Sequence, residues 1–408
     1  MTGKALRVTN GHAFHANLCQ RRLDGFQFRG LNDSQDQFHG NGSRCRGYRS
    51  RRGTASLLLV YQNVLCPPIE TVVVTVNKLP DISGLLGRYD LGQPVQHVES
   101  LGAAGGFSGA EFWRVQTTTD QWCLRKWPRA HPSRDRLEWI HAVLQHAWQE
   151  GFTRLPLPLA DSQGAVFAEQ EGFFWEITPW LSGDVIEGLP VATSQLSAAM
   201  ETLAHFHQAV VSFPGTPRIA QPSPGLVDRY RLLQKMIDSG LDQIGRQLLS
   251  TSHRDLAERA TVILETSRRQ APSLISQLER MTRINLPWQP CIRDIHRQHV
   301  LFAGTRVSGL IDFGAMNYDT IATDVARLLG SLAQDDPQAR QQGLLAYQAC
   351  RPLTTTERDL VECFDQANVV LSPLNWLQWL IVDSRQFDDW SLVLQRLDEL
   401  IERFAGHP

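Results

Sequence analysis

The sequence predicts a bilobal α+β fold, with a small β-rich first lobe and a larger helical second lobe. Three observations predict it. Short runs rich in aromatic and branched residues fill positions 95–181, with one helical segment among them. Long segments of helical period then run from 192 to about 405. A brief β interlude at 298–313 interrupts the helices. Two unlike lobes of this kind leave a cleft between them where a ligand can sit.

Composition narrows the class. The chain has 408 residues, 42% of them hydrophobic, and a formal charge of −2. That length supports more than one core. The near balance of charge points to neither nucleic acid nor a basic membrane surface. No apolar run approaches the roughly 18 residues that would span a bilayer, and the opening MTGKALRVTNGHAF lacks a signal-peptide core. Seven scattered cysteines form no CxxC pair, which predicts reduced thiols and a cytoplasmic location.

The first 55 residues carry nine arginines, one lysine and three acids, with no lasting period. Such a composition cannot bury enough surface to order itself. Residues 1–80 are therefore expected to be a disordered extension, or upstream sequence translated from a wrongly chosen start, rather than a basic arm that binds anions. A strand-like TVVVTV stands at 71–76, and organised sequence starts near Asp81. Residues 81–181 form the predicted first lobe, with strands in VQHVES, EFWRVQTT, QWCLRKW, AVFAEQ and FFWEITPWL. Its helix opens at Pro132-Ser133 and sets Leu137, Ile140, Leu144 and Trp148 at helical spacing. Residues 182–408 form the second lobe. Its first helix carries Leu196, Met200, Leu203 and Phe206 on one face. Further helices are expected at 226–249, 252–282, 321–334, 336–350, 355–371 and 388–405.

The stretch at 291–330 is the most informative. Arg293-Asp294-Ile295-His296-Arg297-Gln298-His299 is followed by an apparent hairpin and then by Leu310-Ile311-Asp312-Phe313-Gly314. Phosphoryl transfer needs one carboxylate to take the acceptor's hydroxyl proton and another to hold a metal on the nucleotide phosphates. A kinase-like loop supplies these as D-x-x-x-x-N and D-F-G. Asp294 and His299 have the first spacing, with His in place of Asn, and Asp312-Phe313-Gly314 matches the second.

On these residues the chain resembles the aminoglycoside phosphotransferase and choline kinase family, which has a protein-kinase-like fold. Asp294, His296, Leu301, Ile311, Asp312 and Phe313 sit on the family pattern, and Ile292 and Arg293 depart from it. Asp324 resembles the acid that braces the family's catalytic loop. The resemblance implies that residues 81–181 bind nucleotide and that 182–408 hold the catalytic loop and acceptor pocket. It implies Asp294 as the catalytic base, and Asp312 with His299 as metal ligands. Gly105, Gly106 and Ser108, in a glycine-rich stretch between two strands, would cover the phosphates. Arg125 or Lys126 would meet the α- and β-phosphates; strand alternation separates the two, and Arg125 takes the usual lysine position. Its helix partner would be Glu138 or His141. Thr178 and Trp180 lie in the expected hinge beside adenine. His205 and His207 read as core or surface histidines rather than metal ligands, and Trp376 and Trp379 as a core stripe.

The expected activity is ATP-dependent phosphorylation of a hydroxyl on a small molecule: an aminoglycoside, a choline-like amino alcohol or a sugar. Mg²⁺, or Mn²⁺ in its place, is the implied metal. Neither nucleic acid nor membrane is an expected partner. The alternative is a catalytically weak, nucleotide-binding pseudokinase with a regulatory or assembly role, suggested by His299 and Arg125.

Overall fold

A computed structural model describes residues 82–102, 109–251, 253–385, 387 and 390–406. The extension at 1–80, its strand-like 71–76 segment, and Gly105, Gly106 and Ser108 lie outside the described residues. Residues 82–88 belong to a compact unit separate from the one holding 89–408. They contain the short helix α1 (Ile82–Leu86), closed by the Gly87 N–H on the Ser83 carbonyl at 3.1 Å. No helix among the described residues is long and apolar enough to cross a membrane.

The β-rich lobe holds β1 (His97–Gly102), β2 (Glu111–Gln116), β3 (Gln121–Lys126), helix α2 (Arg134–Gln149), β4 (Ala168–Gln170) and β5 (Phe173–Pro179). The strands make one antiparallel sheet in the order β1-β2-β3-β5-β4. Its register places Arg125 opposite Phe112 on one side and Glu176 on the other. Because side chains alternate along a strand, Phe112, Cys123, Arg125, Glu176 and Thr178 share one face. Trp113, Leu124, Trp175 and Ile177 are buried on the other, with Trp113 and Trp175 rings 5.2 Å apart. The Ser133 hydroxyl caps α2 by accepting the Arg136 N–H at 3.4 Å. Leu137, Ile140 and Leu144 are buried as predicted, whereas Trp148 is 41% exposed. The core closes one turn earlier, where Phe152 folds back and donates its N–H to Ala147 at 2.9 Å.

The helical lobe begins with α3 (Thr193–Val210), whose Leu196, Met200, Leu203 and Phe206 are all buried. A two-residue strand, β6 (Gln221–Pro222), precedes α4 (Pro224–Lys235). That helix runs through a π turn at Met236–Gly240 into α5 (Leu241–Leu248). The long α6 (Arg254–Met281) follows, and then β7 (Asn285–Leu286), which pairs with β6. Next come β8 (Gln289–Cys291), the hairpin of β9 (Val300–Ala303) and β10 (Arg306–Leu310), and β11 (Asn317–Asp319), which pairs with β8. The last four helices are α7 (Ala322–Ala333), α8 (Pro337–Cys350), α9 (Thr355–Leu377) and α10 (Trp390–Gly406). Helix α9 continues past the predicted end at 371, through Pro373, and into a π turn at Gln378–Val382. Proline disfavours a helix interior, but Leu371, Leu374, Trp376 and Leu377 bury the surrounding turns. Trp376 and Trp379 pack together, 5.6 Å between centroids, as the core stripe expected of them.

The segment joining the lobes is pinned to the hairpin. Asp184 and Phe302 exchange backbone hydrogen bonds of 2.8 and 2.9 Å. Gly183 makes this approach with φ +139°, and a β-carbon there would meet Ser308 Oγ and stand 3.0 Å from the Phe302 carbonyl. Gly183→Ala is expected to cost about 1–3 kcal/mol of stability. A denaturant midpoint equal to wild type would show that the linker yields without strain.

Candidate active site

The loop carrying Asp294 is built from behind. Asp324, fully buried in the first turn of α7, accepts the Ile292 N–H at 2.7 Å and the Arg293 N–H at 2.6 Å. His207 donates Nε2–H to the same carboxylate at 3.1 Å, and the Tyr347 hydroxyl donates to His207 Nδ1 at 2.7 Å. Burial pulls His207 below its ordinary range, against the pull of Asp324, so the neutral ring fits this chain. Burial likewise raises Tyr347 and keeps its proton on. The brace holds Arg293 at φ +67°, a left-handed conformation costly for a residue other than glycine. The Arg293 guanidinium then lies 3.4 Å from both Asp319 and Asp228. His207, Cys291 and Asp324 come close enough to suggest a metal site. Their bonds argue against one: His207 and Asp324 bond each other, the Cys291 S–H donates to the Asp319 carbonyl at 3.4 Å, and burial keeps that thiol protonated.

In front of this brace stand the two predicted carboxylates. Arg327 of α7 donates to Asp294 Oδ1 at 3.0 and 3.3 Å. Burial raises the Asp294 carboxyl above its ordinary range, and Arg327 and His299 only partly offset that. Asp312 follows β10 with φ +59° and accepts the Gly314 N–H at 3.3 Å. Burial would raise it too. The Arg125 guanidinium, 3.5 Å away, together with His299 and the Gly314 N–H, outweighs burial and holds it below the ordinary range. His299 donates Nδ1–H to the Asp294 carbonyl at 2.9 Å, which turns Nε2 toward Asp312 Oδ2 at 3.9 Å. A carboxylate oxygen and an imidazole nitrogen facing each other across that gap are a donor set that, with the ring deprotonated, fits a divalent cation.

The cleft between the lobes is lined by Arg125, Thr178, Trp180 and Asp312, among others. Arg125 lies over Trp127, 3.4 Å from the ring centroid. Lys126, its predicted alternative, points the other way and binds Glu111 at 2.7 Å above Phe173, because adjacent strand residues face opposite sides. Glu138 is a surface acid beside Arg134, so it is not the helix partner. His141 enters the cleft instead and binds Glu176 of β5 at 2.7 Å, where both are buried. Burial works against the Glu176 charge, but His141 and then Arg125 hold its carboxyl below the ordinary range. The Trp180 N–H is engaged by the Gln121 carbonyl at 3.0 Å, and Arg114 covers one face of its ring at 4.2 Å. Arg125→Met is expected to raise the nucleotide KM roughly tenfold or more, the worth of a charge-assisted contact. Lys126→Met should leave it within twofold. Equal effects in nucleotide titrations would overturn this assignment.

Sequence reasoning passed over Glu176 and Arg327. Period-2 alternation from Thr178 marks Glu176 as cleft-facing. Arg327 sits three residues after Asp324, one helical turn along the face that meets the catalytic loop.

The sequence profile of the phosphotransferase enzyme family matches residues 101–359. A homoserine kinase of Brucella canis is 25% identical over 322 residues, covering 78% of this chain and 89% of that protein. Among solved structures, an aminoglycoside phosphotransferase from Alicyclobacillus acidocaldarius superposes with a TM-score of 0.59 at 17% identity, covering 82% of this chain and 96% of that one. A spectinomycin phosphotransferase with ADP and spectinomycin bound gives 0.54 at 13% identity, covering 80% and 96%. These structures share the fold.

Proposed function

Because the chain belongs to the phosphotransferase enzyme family, as a small-molecule kinase with an alcohol acceptor, we propose that it moves the γ-phosphoryl group of ATP to that hydroxyl. One observation carries the reading: a buried and a partly buried carboxylate flank His299, shifted in opposite directions. Asp294 is raised and Asp312 lowered. A raised carboxylate is the better proton acceptor. A lowered one stays anionic and suits a cation. The acceptor oxygen bonds to the γ-phosphorus, the bond from that phosphorus to the ADP oxygen breaks, and the hydroxyl proton passes to Asp294. Asp312 and His299 Nε2 would hold Mg²⁺ or Mn²⁺, which neutralises the phosphate oxygens. Arg125 would bind the α- and β-phosphates, with the glycine-rich stretch of Gly105, Gly106 and Ser108 over them. Thr178 and Trp180 would flank adenine. Curated relatives named homoserine kinases add a hydroxy amino acid to the acceptor classes considered.

The pseudokinase reading rested on His299 and Arg125, yet the ring nitrogen of one and the guanidinium of the other both face Asp312. Turnover is therefore favoured. ADP release with a panel of hydroxyl acceptors tests it; nucleotide-induced thermal stabilisation without turnover on any acceptor would support the pseudokinase. A nitrogen ligand suits Mn²⁺ better than Mg²⁺. His299→Asn is expected to lower the Mn²⁺-to-Mg²⁺ ratio of activation, with weaker Mn²⁺ binding by electron paramagnetic resonance. If both readouts are unchanged, His299 is not a ligand.

A further inference from the structure

A second cavity lies against the loop after Asp294, between α7, α9 and α10. Arginine dominates it: Arg297, Arg327, Arg396 and Arg403 line it, against the two acids Asp365 and Glu399. It starts one side chain from the reacting centre, since the guanidinium of Arg327 is the group bonded to Asp294 Oδ1. Three of the arginines have acid partners. Arg327 holds Asp294, Arg403 holds Asp365 at 2.8 Å, and Arg396 holds Glu399 at 2.9 Å. Arg297 is different. It makes no ion pair within 4 Å among the described residues, although Glu399 acts on it through space; its Nη1 reaches only the Ser331 carbonyl at 3.4 Å, and its buried Nε has no partner. His296, 5% exposed, also lines the cavity with Nε2 unpartnered.

Buried polar atoms without partners are rare and call for a missing one. Here both belong to a cavity whose charged lining is net positive. We infer that this cavity binds the acceptor by an acidic group, a carboxylate, received by Arg297 with His296 beside it, so that the substrate is a hydroxy acid or hydroxy amino acid. The inference rests on the kinase reading above and names the substrate class of that site. The local field agrees with it. Burial pulls Arg396 down to about 10; its partner Glu399 opposes this, and Arg327 and Arg297 act with burial. A carboxylate offsets those cations and offers two oxygens to a planar guanidinium. A polycationic aminoglycoside or choline would add to their charge.

The test compares hydroxy acids with acceptors of the same shape lacking the charge. L-homoserine and glycerate are set against their carboxamides, with ethanolamine, choline and kanamycin as cations. The acids should exceed their amides in kcat/KM by roughly 10- to 100-fold, the worth of a charge-assisted bond. Arg297→Gln should raise the KM for the acid by a similar factor and close the gap to the amide, with the KM for ATP within twofold. Arg297→Lys, which keeps the charge, should recover part of the loss. Equal rates for acid and amide, or preference for a cation, would overturn the inference while leaving the kinase reading intact. Calorimetry on Asp294→Asn separates the two failures. Arg297-dependent binding of the acids with no phosphoryl transfer by wild type would sink the kinase reading and keep the anion site. No binding of any acid would sink the site.

Discussion

Asp294→Asn is expected to lose turnover by on the order of 10²-fold or more, as for removal of a positioned base. The substitution keeps the shape of the side chain and a single oxygen for Arg327, which bonds Oδ1 at 3.0 and 3.3 Å. It removes the site that takes the hydroxyl proton. The backbone carbonyl of residue 294, which orients His299, is untouched. Metal and nucleotide affinity should therefore survive, and the loss should fall on kcat. Single-turnover kinetics with saturating nucleotide check this. Full activity would remove Asp294 from the mechanism, whereas an equal loss of nucleotide binding would make its role structural.

Asp324→Ala should be the most damaging structural change, with a loss of about 3–5 kcal/mol, the range for breaking a fully buried charged network. It strands two backbone N–H groups, of Ile292 and Arg293, together with the Nε2–H of His207. It also frees Arg293 from its left-handed conformation, so the loop ahead of Asp294 relaxes. Asp324→Asn keeps one acceptor oxygen and should fall between the two. Urea unfolding of all three proteins measures the series. An unchanged midpoint for Asp324→Ala would mean that the loop holds itself without the brace.

Much of the catalytic loop was legible because its chemistry is local in sequence. Asp294 and His299 are five residues apart, and Asp312-Phe313-Gly314 closes the adjoining hairpin. The lobes were legible for a similar reason: strand and helix periods repeat over a few residues. Legibility failed where one residue's role depends on a distant partner. Glu138 has the expected residue type at helix α2, but it points to Arg134, and the carboxylate in the cleft comes from Glu176 on β5.

The sequence by itself determined the two-lobed α+β class, the positions of the two candidate carboxylates and that Arg125 and Lys126 face opposite sides. Periodicity and short motifs encode those directly. Tertiary structure alone decided the opposite shifts of the pair and the character of the second cavity. Asp294 and Asp312 are the same residue type, the first buried and the second partly so, and their surroundings separate them. Arg327 of α7 meets the first, while Arg125 of β3, 187 residues before Asp312, meets the second. Arg297, Arg327, Arg396 and Arg403 are likewise strung over some hundred residues of sequence, and only the packing of α7, α9 and α10 gathers their charge around one space. Electrostatic interaction acts through space and falls with distance, so the charge state of a site follows from the fold that assembles it.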